Sequence, residues 1–155
     1  MSFSDWMLAF HLLSAFAVAS ALVLFSALVF SGRRMTTLEQ TRTLFRVAPL
    51  GTILISAGIG LVFVFGVILA LDSDRFNLWD GWVIAGIILW AAFAGVGQRS
   101  GAYYTKIQKL AEEDGGGNES EVLARLRAPT GVWLHIATIA LFVLIVIDMI
   151  YKPGA

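Results

Sequence analysis

The chain has 155 residues, of which 58% are hydrophobic and only 14% are charged, and its mean hydropathy is +0.80. Soluble domains carry about 25% charged residues, so this composition excludes an ordinary soluble globular protein. Eleven basic and eleven acidic residues give a formal net charge of zero, and no basic cluster predicts a nucleic-acid partner. The absence of cysteine excludes disulfides, thiolate metal ligands and palmitoylation.

Four apolar runs without Asp, Glu, Lys or Arg divide the chain, at residues 6–32, 47–71, 81–98 and 128–147. Each run reaches the ~18–20 residues that a helix needs to cross ~30 Å of hydrocarbon. The sequence therefore predicts a single all-α domain over residues 1–155, an antiparallel four-helix bundle surrounded by the lipid bilayer. The third helix is expected to extend into the cytosol, and a short helix is expected before the fourth. The predicted helix bounds are about 6–32, 47–71, 80–113 and 120–150.

The first apolar run differs from a secretory signal peptide. The five residues before it, "MSFSD", contain an acid and no Lys or Arg. The run is also far longer than the 7–15-residue apolar core of a signal peptide. It is therefore predicted to be a helix of the mature protein.

Basic residues collect in the first and third connections between the predicted helices. These connections hold nine of the eleven: Arg33, Arg34, Arg42, Arg46, Arg99, Lys106, Lys109, Arg125 and Arg127. The other side keeps Arg75 and Lys152 and gathers five acids: Asp5, Asp72, Asp74, Asp80 and Asp148. Interfacial aromatic residues expected on that side are Trp6, Trp79, Trp82 and Tyr151. Because Lys and Arg are retained preferentially in the cytoplasm, both termini are predicted to lie outside.

The connections also predict how the helices follow one another. The second connection is short, so the second and third membrane helices are expected to be antiparallel neighbours. Tyr103, Ile107 and Leu110 keep helical spacing beyond the third apolar run. The glycines at 115–117 then break the helix. Pro129 is expected either to kink the fourth helix or to occupy its first turn.

Small residues in the apolar runs predict close helix packing, because small side chains let helix backbones approach in lipid. In the second run, Gly51 and Gly58 are seven residues apart, and Ser56 and Gly60 are four apart. In the first run, one helical stripe is expected to face the protein interior. This stripe consists of His11, Ser14, Ala15, Val18 and Ala21.

His11 and His135, the two histidines of the chain, both lie within apolar runs. Ionisable groups inside a membrane are costly and are candidates for function, and two histidines could in principle hold one b-type haem. On the predicted topology their heights differ by about 15 Å. One haem held by both histidines of the same chain is therefore not expected, whereas single-ligand haem, metal binding or proton transfer stay open for either residue.

His11 is the better placed candidate, because Asp5, Asp80 and Asp148 come from helix ends on its side of the membrane. Together with Asp80 and Asp148 it forms the predicted metal set, since a histidine near carboxylates can bind a metal or relay protons. The alternative is that His11 bonds a neighbouring serine or carbonyl and only supports packing. The same alternative applies more strongly to His135, near the inner interface.

Four segments resemble a family of bacterial membrane proteins of unknown function related to copper-resistance protein D. They are "FHLLSAFAVASALVL", the Arg-rich first connection, "LWDGWVIAGIILWAAFAGVG" and "DMIYKPGA". The resemblance implies four helices in the bacterial inner membrane. Distant relatives include haem-dependent protoporphyrinogen oxidases with a histidine in the first helix, a position that His11 matches. The resemblance thus implies His11 as the cofactor-binding residue.

Two functions are predicted from these observations. The first is a small non-catalytic membrane protein, an accessory or binding subunit that packs with other membrane helices as a homo-oligomer or with a membrane-protein partner. The second is a haem b- or copper-binding redox protein that uses His11. No catalytic set of residues is predicted, since the sequence contains neither an HExxH motif nor an intramembrane pair of aspartates.

Overall fold

A computed structural model describes residues 2–72, 79–113 and 119–152, and all regular structure in these ranges is α-helical. Four of the helical segments are long and apolar enough to cross a membrane, which confirms the predicted all-α class. The helices, in chain order, are α1 (Phe3–Gly32), α2 (Leu38–Phe45), α3 (Ala48–Leu71), α4 (Gly81–Glu112), α5 (Glu119–Arg127) and α6 (Pro129–Tyr151).

Helix α1 begins three residues before the start of the predicted span, because a capping box forms at its N-terminus. The Asp5 backbone N–H donates to Ser2 Oγ, and the Ser2 backbone N–H donates to the Asp5 carboxylate at 2.7 Å. These bonds satisfy two donors that would otherwise lack helical partners. Asp5, expected near His11, is therefore engaged at the helix end.

The first connection contains a helix, α2, that the sequence prediction missed. Thr37 caps it by accepting a hydrogen bond from the backbone N–H of Gln40. Its buried residues are Thr41 and Phe45, and Phe45 packs with Ile107 of α4. Eight residues are too few for an isolated helix to be stable in water, so this packing is what stabilises α2.

The second half of the chain follows the predicted order of helices. Helix α4 continues to Glu112, as the helical spacing beyond its apolar run predicted, and α5 precedes α6. Pro129 occupies the first turn of α6, where a proline has no helical hydrogen bond to lose. The kink that the sequence also allowed does not form at this residue.

The helices pack as two pairs, α1 with α3 and α4 with α6. The sequence predicted that α3 and α4 are neighbours. In the structure these two helices are in contact through the side chain of Trp90. The Trp90 ring stacks on Phe63 with centroids 4.3 Å apart, and Trp90 Nε1 donates to the Ile59 carbonyl at 3.2 Å. The closest backbone contacts thus join helices that the sequence did not pair.

Both basic connections lie at one end of the bundle. There a buried cluster joins α2, α4 and α5 through Phe45, Ile107, Ala111, Val122 and Leu126. At the opposite end Ser4 Oγ donates to Asp72, and Lys152 lies 5.3 Å from the centre of the Trp82 ring. The first turn of α1 and the last turn of α6 therefore lie at the same end of the bundle. Asp74, Arg75 and the glycines at 115–117 lie outside the described residues.

Candidate functional site

His11 packs against the backbone of α3. Its Nδ1 lies 2.9 Å from the carbonyl oxygen of Val62, and Gly66 leaves room for the ring. A Cβ at Gly66 would lie 3.1 Å from His11 Cε1, tighter than an ordinary contact. Ser14, Val18 and Ala21 of the same predicted stripe are buried. The prediction that His11 faces protein is thus confirmed.

The hydrogen-bond partner of His11 determines which of its two ring nitrogens carries the proton. A carbonyl oxygen can only accept, so Nδ1 carries the hydrogen and donates to Val62. In the neutral ring Nε2 then keeps a lone pair. Metal-ligating histidines characteristically donate their other ring N–H to a carbonyl or carboxylate, which fixes the tautomer and the ring orientation. His11 therefore has the tautomer of an Nε2 ligand.

His135 is paired with a side chain of α1. It is 3% exposed, and its Nε2 lies 2.8 Å from Ser26 Oγ on α1. The Ser26 hydroxyl also lies 2.8 Å from the Leu22 carbonyl oxygen, to which it can donate. His135 Nε2 is thus paired with the Ser26 hydroxyl, and either neutral tautomer of the ring is compatible with this bond. Since that nitrogen is engaged, the bond serves to join α1 to α6.

The two histidines lie at different depths of the bundle. Ser26, which bonds His135, follows His11 by 15 residues in the same helix. At 1.5 Å per residue the separation along α1 is about 22 Å. Two axial ligands of one iron lie at nearly one level, so the histidines of one chain cannot both bind the same haem. This agrees with the separation expected from the sequence.

The aspartates predicted to join His11 lie elsewhere. Asp148 is 8% exposed and faces Gly86 of α4, whose Cβ would lie 3.2 Å from Asp148 Oδ2. Asp80 is the N-cap residue of α4. His11 lies between α1 and α3, in the other helix pair. In the part of the chain that the structure describes, no three His, Asp or Glu side chains form a group able to hold a metal ion. The predicted metal set of His11, Asp80 and Asp148 is thus not assembled.

The residues that contact the two histidines could not be predicted from the sequence. A backbone acceptor such as the Val62 carbonyl has no signature in sequence. Gly66 does offer a signal, because it interrupts a run of large apolar residues, "LVFVFGVILAL". An isolated glycine in a helix usually has a packing reason. Ser26 is one of several serines in α1 and has no such distinguishing feature.

The fold defines the class of this chain: it is a multi-pass membrane protein with an all-α bundle. Comparison with protein-family models, curated proteins and solved structures finds no match. The relation to copper-resistance protein D therefore stays a prediction from the sequence segments that resemble that family.

Proposed function

We propose that this chain is a small non-catalytic protein of the bacterial inner membrane, an accessory subunit that associates with other membrane helices through α3. The partner to be tested first is a second copy of the chain. The observation that carries the proposal is an exposed face of small residues on α3, opposite the face that packs on α1.

The open face is centred on Ser56 and Gly60, which lie one helical turn apart and are both exposed. A Cβ at Gly60 would meet no atom within 4 Å. By contrast, Gly51 and Gly58 are buried against α1. Ser56 and Gly60 have the small-xxx-small spacing that lets membrane helices approach. Among the described residues, α1 covers the Gly51 and Gly58 face and leaves the Ser56 and Gly60 face open.

Larger apolar side chains border the open face. Ile53 is 66% exposed and Val64 is 50% exposed. Next to them an apolar groove of about 340 Å³ runs between α1 and α3, with Leu13, Ala17 and Leu61 among its lining residues. A face of small residues beside a groove lets a second helix approach closely while its large side chains enter the groove. This shape supports docking of a helix.

Gly60→Leu tests the proposal. The added side chain would hold a second helix away, so we expect self-association to weaken by about tenfold or more, equivalent to about 1.4 kcal/mol. The measurement is fluorescence energy transfer between labelled copies in lipid vesicles, as a function of the protein-to-lipid ratio.

Gly95→Leu is the matched control, because Gly95 lies on α4, is exposed, and also has no atom within 4 Å of an added Cβ. We expect it to associate as the wild-type chain does. Wild-type protein that stays monomeric at every density, or an equal loss in both variants, would contradict self-association through α3.

A second function is supported by the hydrogen bond from His11 to Val62. We propose that His11 Nε2 would hold a b-type haem, whose iron would supply one-electron chemistry when bound. The residues fit ligation by one histidine, because Nδ1–H is held by a carbonyl. They do not fit ligation by both histidines of the chain, nor a three-residue copper site among the described residues.

An absorption spectrum of protein produced with ample haem tests this ligation. We expect a Soret band that His11→Ala abolishes and His135→Ala retains. Gly66→Ala should shift or weaken the band without removing it, because a Cβ there would press on the ring that Val62 orients. Absence of a Soret band, or its loss in His135→Ala only, would refute His11 as the ligand.

A further inference from the structure

A second groove lies at the basic end of the bundle, between α2 and the extension of α4. It has a volume of about 220 Å³ and is lined by Arg42, Phe45, Arg46, Gln108, Ala111 and Glu112. Phe45 and Ala111 belong to the buried cluster beneath it, so the groove has an apolar floor and charged walls. Neither the histidines nor the exposed face of α3 contributes to it.

One of the two arginines is held in position by the backbone. Arg42 Nε donates to the carbonyl oxygen of Ala111 at 2.5 Å, which anchors the guanidinium to α4. The Nη1 and Nη2 hydrogens are left for another acceptor. Arg46 follows one helical turn later along the chain. Within the described ranges, neither arginine forms a salt bridge with a carboxylate.

The acid on the opposite wall is already engaged. Gln108 Nε2 donates to Glu112 Oε1 at 2.9 Å, which holds this carboxylate along α4. The groove therefore presents two guanidinium groups against one carboxylate, a net charge of +1 from its lining residues. Paired guanidinium groups with free N–H donors match the oxygens of a phosphate group.

The groove lies close to the membrane boundary. Helix α2 connects Gly32, at the end of one apolar helix, to Ala48, at the start of the next. Gly32 itself lies against Leu44 and Leu126, with distances of 3.5 and 3.3 Å from an added Cβ. Basic pockets at the ends of membrane helices are typical sites for anionic lipid headgroups.

We propose that the groove between α2 and α4 binds a phosphate-bearing anion through Arg42 and Arg46. Its position at the ends of α1 and α3 favours the headgroup of a membrane lipid as the source of the phosphate. The apolar floor of Phe45 and Ala111 suits the glycerol and upper acyl region of such a lipid. A free phosphate ion would use the arginines alone.

The test uses the purified full chain in detergent, titrated separately with phosphatidylglycerol, phosphatidylcholine and inorganic phosphate, with binding measured by native mass spectrometry. We expect phosphatidylglycerol to bind most tightly. The Arg42→Gln and Arg46→Gln double variant should lower its affinity about 25-fold, since each arginine near a lipid phosphate contributes a factor of about five. Displacement of phosphatidylglycerol by millimolar inorganic phosphate would instead assign the site to the free ion.

Two further variants separate binding in the groove from general attraction and from misfolding. Arg33→Gln with Arg34→Gln removes the same charge from the same end but leaves the groove intact, so phosphatidylglycerol affinity should change by less than about fivefold. Glu112→Gln removes the opposing charge and should increase the affinity, a change that unfolding cannot produce. An equal loss in both double variants, or no increase in Glu112→Gln, would overturn the proposal.

Discussion

Replacing Gly58 with alanine is expected to lower the free energy of unfolding of the bundle by about 1–3 kcal/mol, the usual cost of overpacking a close contact. The added Cβ would lie 2.7 Å from Val18 Cγ2 and 3.1 Å from the backbone oxygen of Ser14. The valine could rotate, but the Ser14 oxygen belongs to the backbone of α1. The contact can therefore be relieved only by separating α1 from α3.

Gly60→Ala is the matched control for this loss. Gly60 lies two residues further along α3, and a Cβ there meets no atom within 4 Å. Alanine favours the helix over glycine by about 1 kcal/mol, so this variant should be as stable as the wild-type chain or more stable. Unfolding in mixed micelles of mild detergent and dodecyl sulfate, followed by circular dichroism, compares the two. Equal stability of both variants would refute the role given to Gly58.

The second large effect concerns orientation in the membrane and is expected to be all or none. A cysteine introduced as Trp79→Cys should react with a membrane-impermeant maleimide in intact cells. A cysteine introduced as Lys106→Cys should react only after the membrane is opened. The physical reason is the retention of Lys and Arg in the cytoplasm, together with the collection of basic residues at the α2 and α5 end of the bundle. The wild-type chain has no cysteine and is the blank for the experiment.

Both positions suit the labelling reaction. Trp79 is 86% exposed and Lys106 is exposed on α4, so neither label has to displace packed side chains. Labelling of Lys106→Cys in intact cells, with Trp79→Cys protected, would reverse the proposed orientation. The separation of the two histidines would survive that result, because it rests on the bond between Ser26 and His135.

Much of the secondary structure could be predicted from the sequence. A charge-free run long enough to cross hydrocarbon must form a helix, because no water is available there to pair its backbone groups. The predicted starts of the second and third membrane helices, 47 and 80, lie within one residue of Ala48 and Gly81. Helix α2 was missed because its eight residues gain stability from Phe45 and Thr41 packing on other helices, a contact invisible in local sequence.

The candidate site was predictable only in part. A histidine in an apolar run is easily recognised as a candidate for function. The stripe of residues that it shares with Ser14 and Ala21 correctly predicted that His11 faces the protein interior. The carboxylates could not be placed, because Asp148 and His11 lie toward the same end of the bundle but belong to different helix pairs. Similar depth along a bundle does not determine which helices are neighbours.

The sequence by itself determined the all-α class, the four apolar helices and the concentration of nine of the eleven basic residues in two connections, because hydrocarbon thickness and charge solvation act directly on composition. Only the tertiary structure decided that α1 pairs with α3 and that Gly58 is covered while Gly60 is open. It also decided the hydrogen-bond partners of the histidines, the Val62 carbonyl for His11 and the Ser26 hydroxyl for His135. Lipid is as apolar as a helix interface, so hydrophobic pattern cannot distinguish a packed face from one that faces the membrane.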